Sequence, residues 1–214
     1  PNFVFMKTLY PFLLGSLSLL WGCVELPNVT YDPVGFPISP KLETAPVNST
    51  GDAADDPAIW LHAVDPDRSL IFGSDKQAGI EAYRMNGKRA AFYPVGRINN
   101  IDIRYGFPFN HDRIDILGGT NVDENGIVLF SIDPKNGRLR TLTPEPLLSD
   151  LANIYGFCFY HNPELDQFYA FVVGQSGKVE QWKLYDSGSN TLTGEIVRKF
   201  EMGSKTEGMV ADDE

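Results

Sequence analysis

Four short groups of residues in this chain could do chemistry together. They are Asp55-Asp56-Pro57-Ala58, Asn99-Asn100-Ile101-Asp102, Ile154-Tyr155-Gly156-Phe157 and Glu207-Gly208-Met209-Val210. Carboxylate and amide oxygens are the ligands that hard cations take, typically about 6–8 of them for Ca2+. A cation held by such oxygens can polarise a bound ester and lower the pKa of a bound water. A second set of loops carries Lys76, Val122 and Gln175, each between a strand-like run and a glycine.

The elements that must position these groups are short and β-like. Runs such as Ala58-Ile59-Trp60-Leu61, Ile127-Val128-Leu129-Phe130 and Phe168-Tyr169-Ala170-Phe171-Val172-Val173 alternate with Gly, Asn and Asp turns. Asn86-Gly87 and Asn136-Gly137 read as hairpin turns. No stretch after Cys23 has a helix-length amphipathic pattern, so the fold class is all-β. Gly79, Gly126 and Gly177 each open a strand after a polar loop, at a spacing of about fifty residues. Two interleaved series at this spacing predict four-stranded blades of a β-propeller. A sandwich or a small barrel also repeats hairpins, and only the register of the repeat speaks against it. If each blade starts with its innermost strand, Asp55, Asp56, Asn99, Asn100, Tyr155 and Glu207 converge at one end of a central channel. Lys76, Val122 and Gln175 then stand around the same rim. The fourth inner-strand start breaks off at Asp212-Asp213-Glu214, so about three and a half blades are expected and the chain reads as unfinished.

The composition narrows the function. There are 28 Asp+Glu against 18 Lys+Arg among 214 residues, a net charge of −10, which disfavours a nucleic-acid binder. Two cysteines make no disulfide framework. Met6 to Cys23 has one lysine followed by a broken apolar run, the proportions of an export signal. Pro1 to Phe5 read as upstream read-through. Leu20-Trp21-Gly22-Cys23 is similar to a bacterial lipobox, which leaves lipidation at Cys23 and ordinary cleavage nearby as two open outcomes. The expected organisation is therefore a signal segment over 1–22, a Pro-rich lead-in over 23–52 and a partial propeller over 53–214. Its location is extracellular, periplasmic or lipid-anchored in a bacterial envelope. Cys158 reads as a small buried hydrophobe, and His62, His111 and His161 as surface or strand-end residues.

Asp55-Asp56-Pro57-Ala58-Ile59-Trp60, Ser74-Asp75-Lys76-Gln77-Ala78-Gly79, Gly96-Arg97-Ile98-Asn99-Asn100-Ile101-Asp102, Tyr155-Gly156-Phe157 and Thr206-Glu207-Gly208-Met209-Val210-Ala211-Asp212-Asp213-Glu214 together resemble the β-propeller phytases. These are secreted, calcium-dependent bacterial 3-phytases that hydrolyse inositol hexakisphosphate. The resemblance runs from about Glu43 to the last residue and implies a six-bladed propeller, a monomer when complete. It implies Ca2+ as cofactor, with Asp55, Asp56, Asn99, Glu207 and Glu43 as ligands. It implies that Lys76 binds phosphate, that Tyr155 lies beside metal and phosphate, and that Lys76, Tyr155 and Glu207 serve catalysis. Bound calcium would also reconcile an acidic protein with a substrate bearing six phosphates. Each residue has a plainer reading: Asp55-Asp56-Pro57 as a turn, Asn99-Asn100 as a bulge or turn, Tyr155 as core. Lys76 and Glu207 read equally as solvated charges.

The sequence departs from the family at two rim positions. Where the family has Asn-Arg, this chain reads Thr120-Asn121-Val122, and where it has Gly-Lys-x-Gly, this chain reads Gly174-Gln175-Ser176-Gly177. The long loop Asn121 to Asn125 leaves the register at Val122 open by one residue. Two function readings follow: a calcium-dependent phytase, or a weakly active or non-catalytic module that binds calcium-phytate or supports a tandem phytase domain. A third, a sugar- or protein-binding propeller, is disfavoured by the retained Asp, Asn, Tyr and Glu set.

Overall fold

A computed structural model describes residues 38–213; the segment expected to be an export signal, and Cys23, lie outside the described residues. Three antiparallel meanders follow one another along the chain. The first contains β1 (Ala54–Trp60), β2 (Leu70–Asp75), β3 (Gly79–Arg84) and β4 (Arg89–Tyr93). The second contains β5 (Ile98–Phe109), β6 (Asp112–Asn121), β7 (Gly126–Ile132) and β8 (Leu139–Thr141), with the short β9 (Leu147–Leu148) also paired to β7. The third contains β10 (Ile154–Asn162), β11 (Gln167–Gly174), β12 (Lys178–Asp186) and β13 (Leu192–Glu201). Among the described residues the helical content is one 3-10 turn, Pro66–Arg68, whose Asp67 N–H donates to the Asp65 carboxylate. This is the β-propeller of four-stranded blades that the repeat predicts.

Strand periodicity explains why three blades make two cores. Successive side chains leave a strand on opposite faces. In β7, Val128, Phe130 and Ile132 therefore enter the core against Trp60, Phe72 and Ile80 of the first blade. Ile127 and Leu129 enter the other core, with Phe157, Phe159, Phe168 and Trp182 of the third blade. A sheet buried on both faces reads as a continuous apolar run, which is what 127–130 is. At Gly118 a side chain would force buried rings to shift: a Cβ there would meet the Phe159 and Phe157 rings at 2.4 and 2.8 Å.

The inner strands of neighbouring blades, and the segment after the third, are also tied by polar bonds. Asp56 accepts the Ile101 N–H at 3.0 Å, Asp102 accepts the Phe159 N–H at 2.8 Å, and Asp213 accepts the His161 N–H at 3.0 Å. Arg104 joins three segments, reaching Asp102 and Asp213 at 2.9 Å and the Phe159 carbonyl at 2.8 Å.

Two expectations need adjusting. His62, expected as a surface or strand-end residue, does lie just past the end of β1, but it is buried edge-on to Trp60, and its Nδ1 accepts the N–H groups of Val64 and Asp65. Glu207 to Asp213 form no strand. An inner strand needs the second strand of its own blade to complete a ladder, and no such partner is among the described residues. The lead-in residues 40–52 carry no strand yet belong to the compact unit Pro40–Glu214. Ala45 N–H donates to the Gly87 carbonyl, Ser49 to Asp75, and Arg89 to Asn48 and the Pro46 carbonyl.

Candidate active site

Each inner strand opens with a break in its register, and the candidate residues sit in the breaks. Between Ala54↔Asp75 and Pro57↔Gly73 the strand β1 inserts Asp55 and Asp56 opposite Ser74. Between Ile98↔Asn121 and Ile101↔Gly119 the strand β5 inserts Asn99 and Asn100 opposite Thr120. Between Ile154↔Gly174 and Gly156↔Val173 the strand β10 inserts Tyr155. An extra residue bends the strand and re-aims its side chain, so these three bulges point the polar groups at the channel mouth. The bulges are held from the neighbouring strand: Ser74 Oγ accepts the Asp56 N–H at 3.0 Å, and Thr120 Oγ1 donates to the Tyr155 carbonyl at 2.7 Å.

A second repeating bond fixes the rim. Lys76 N–H donates to the Ala53 carbonyl (2.8 Å), Val122 N–H to Arg97 (2.9 Å) and Gln175 N–H to Asn153 (3.1 Å). In each blade the residue leaving the second strand is thus bonded to the residue entering the first. This makes Lys76, Val122 and Gln175 structurally equivalent, which settles the register at Val122.

Lys76, Asn99, Val122, Tyr155 and Gln175 converge on one cavity of about 300 Å³, which Asp52, Gln77 and Arg97 also line. Lys76 Nζ lies 3.2 Å from Asp55, 3.4 Å from Asp52 and 6.0 Å from the Tyr155 ring centre. Partial desolvation pulls the Lys76 amine down, but Asp55, with Tyr155 and Asp52, outweighs it and leaves the amine above its ordinary value. Asn99 is buried and donates to Asn100 Oδ1 at 2.9 Å. Asp56 lines a smaller cavity of about 190 Å³ with Asn100, Asp102 and Arg104. Burial pushes the Asp56 carboxyl above its usual range despite bonds from Ile101 and Asn100, and repulsion from Asp55 and Asp102 adds to the shift. Glu207 is exposed, with its backbone packed on Gly156, beside Tyr155. Glu43 is exposed and lies at the Gly87 turn of the first blade, so it lines neither cavity.

The oxygen donors are the kind that a hard cation takes, but among the described residues no three acidic, imidazole or thiol side chains converge closely enough to hold one. Cys158 is buried, and burial raises its thiol to about 12, so it is no nucleophile. A larger cavity of about 520 Å³ lies at the β5–β6 turn, at the far end of these strands from the bulges. Arg113 and Asp166 pair there at 2.6 Å.

Asp52, Arg97, Arg104 and Lys205 belong to this region and were not among the sequence candidates. Lys205 Nζ stands 5.0 Å from the Tyr155 ring centre. A signal for two of them was present: Arg97 and Lys205 precede Asn99 and Glu207 by the same two residues.

A propeller whose inner strands present bulged acids, amides and a tyrosine beside a lysine defines a polar site open to anions and cations together. The phytase family model matches residues 13–214, and the chain belongs to that family. A 3-phytase of Bacillus subtilis (strain 168) is 41% identical over 183 residues, covering 84% of this chain and 48% of its own length. The chain therefore spans about half the length of that curated relative. Among solved structures, the periplasmic gluconolactonase of Pseudomonas aeruginosa matches loosely, with a TM-score of 0.46 and 19% identity over 70% of this chain and 40% of its own.

Proposed function

We propose that this protein hydrolyses phosphate monoesters of phytate and uses Ca2+ to do so. The observation that carries the reading is the convergence of Lys76, Asn99 and Tyr155 from three blades on one cavity, in a chain of the phytase family. The activity of the Bacillus subtilis relative, a 3-phytase, agrees with it. Asp55, Asp56 and Asn99 offer the oxygens for a divalent cation, and Glu207 stands beside Tyr155. Glu43 is a weaker candidate, since it sits at the Gly87 turn. These donors fit calcium in kind, and 6–8 oxygens in all are typical of it. When bound, the ion would supply charge neutralisation for phosphate and an acidified water. The chain's own residues bind and orient. Lys76, held by Asp55 and Asp52, presents an ammonium to a phosphoryl oxygen, where charge grows in the transition state. Tyr155 forms the wall against which the phosphate is placed. Export through the segment 6–23 belongs to the same reading.

A second reading, a module that binds calcium-phytate with little turnover, is favoured by Val122 and Gln175, neutral residues on the cavity wall. Phosphate release from phytate by the full-length protein, measured with Ca2+ and with EGTA, separates the two. Calcium-dependent release supports the enzyme. Calcium-phytate binding without release supports the module, and neither binding nor release refutes both.

A further inference from the structure

The rim positions that lack a cation lie next to positions that have one. In the second blade Val122 is neutral, yet its N–H is bonded at 2.9 Å to the carbonyl of Arg97, and both residues line the cavity. In the third blade Gln175 is neutral, yet its loop is flanked by the segment that carries Lys205. Met202 N–H donates to Gly177 at 2.9 Å, and a Cβ on Gly177 would strike the Ser204 carbonyl at 2.0 Å.

Arg97 and Lys205 also occupy one position of the repeat. Ala53, Arg97, Asn153 and Lys205 stand two residues before Asp55, Asn99, Tyr155 and Glu207. The first three accept the bond from the exit of the second strand in their blade. Blade entries, rather than second-strand exits, therefore supply charge at two places.

We infer that Arg97 and Lys205 are phosphate-binding residues of this site and replace the missing cations at Val122 and Gln175; the inference rests on the reading of the site as one for phytate. Arg97 is prepared for the task. Asp123 accepts its backbone N–H at 2.9 Å and its Nε at 2.6 Å, and Gly96 makes the turn before it at φ +84°. The Nε bond orients the guanidinium, while its two terminal nitrogens make no hydrogen bond among the described residues. A planar fork held in this way suits a phosphate. Lys205 and Lys76 approach the same tyrosine ring at 5.0 and 6.0 Å. Two cations thus face Tyr155 from separate segments, and Arg97 lines the cavity that Tyr155 and Lys76 share, an arrangement suited to a ligand with several phosphates.

The test uses the full-length protein and inositol hexasulfate, a stable ester with the charge pattern of phytate. Calorimetry should show Arg97→Gln and Lys205→Gln each weakening binding about tenfold or more, with melting temperature unchanged. Arg97→Gln combined with Val122→Arg should restore binding, because the charge returns across the backbone bond. Wild-type affinity in both single variants overturns the inference and leaves the phytate reading standing. A wild-type protein that binds neither the hexasulfate nor phytate overturns both.

Discussion

Gly156→Ala tests whether the close approach of the Glu207 backbone to Gly156, next to Tyr155, matters. A Cβ at Gly156 would lie 2.0 Å from the Glu207 carbonyl oxygen, with the Val173 Cβ at 3.3 Å behind it. A carbon and a carbonyl oxygen come no closer than about 3.3 Å in ordinary contacts. The two backbones must therefore separate by about 1 Å or more. The inner strand cannot give way, since Gly156 is paired to Val173 in the ladder. The segment around Glu207 has no strand and must move instead. Alanine adds no backbone strain, because Gly156 is not among the residues with positive φ. The effect is thus the displacement itself. Misplacing a reacting group by about 1 Å can cost about a hundredfold in rate, and overpacking costs about 1–3 kcal/mol in stability. Phosphate release by the full-length variant should fall by about that factor, with a lowered melting temperature. Gly208→Ala is the control, because nothing lies within 4 Å of a Cβ there. Unchanged kcat and unchanged melting for Gly156→Ala would refute the reasoning.

Arg104→Met should be destabilising, by about 1–3 kcal/mol in urea unfolding, because it leaves the half-buried Asp102 carboxylate without its ion-pair partner. Adding Asp102→Asn should recover part of the loss, and a change below about 1 kcal/mol would show that the hub is not structural. At the far end of the strands, the bond from Arg113, with help from His161, lowers Asp166 to about 2. Because the folded value lies below the unfolded one near 3.8, this contribution is present above that pH and is lost as pH falls through about 2. The melting difference between wild type and Asp166→Asn should be small, since the pair is exposed, and should shrink between pH 4 and 2. A difference that stays constant over that range contradicts the assignment.

The blade repeat was legible because Gly79 and Gly126 begin third strands and Gly177 immediately precedes one. The apolar run 127–130 was equally legible, because a strand buried on both faces has no polar side to show. The bulges were legible only at Asn99-Asn100, and there only as one alternative. A bulge is a mismatch between two strands, and a single strand sequence does not contain its partner's register. Asn99-Asn100 illustrates the point: bulge and functional pair were alternatives in the sequence, and in the structure the bulge aims the pair. The burial of His62 was also hidden, since it depends on a turn that delivers two N–H groups to its ring.

The rim shows why charge can relocate in this fold while the bulged residues cannot. Exit and entry positions are joined by one backbone bond, which uses no side-chain atom. Moving a cation from one side of that bond to the other alters neither the ladder nor the core. Asp56, by contrast, serves two tasks: its carboxylate accepts the Ile101 N–H, and the residue also lines the smaller cavity. Replacing it would leave a backbone donor in the channel unpaired, at a cost of about 1–3 kcal/mol. A net charge of −10 makes each rim cation matter more for binding a polyanion. Neutral residues at Val122 and Gln175 therefore need not mean a lost site, because Arg97 and Lys205 approach the same mouth from the neighbouring backbone.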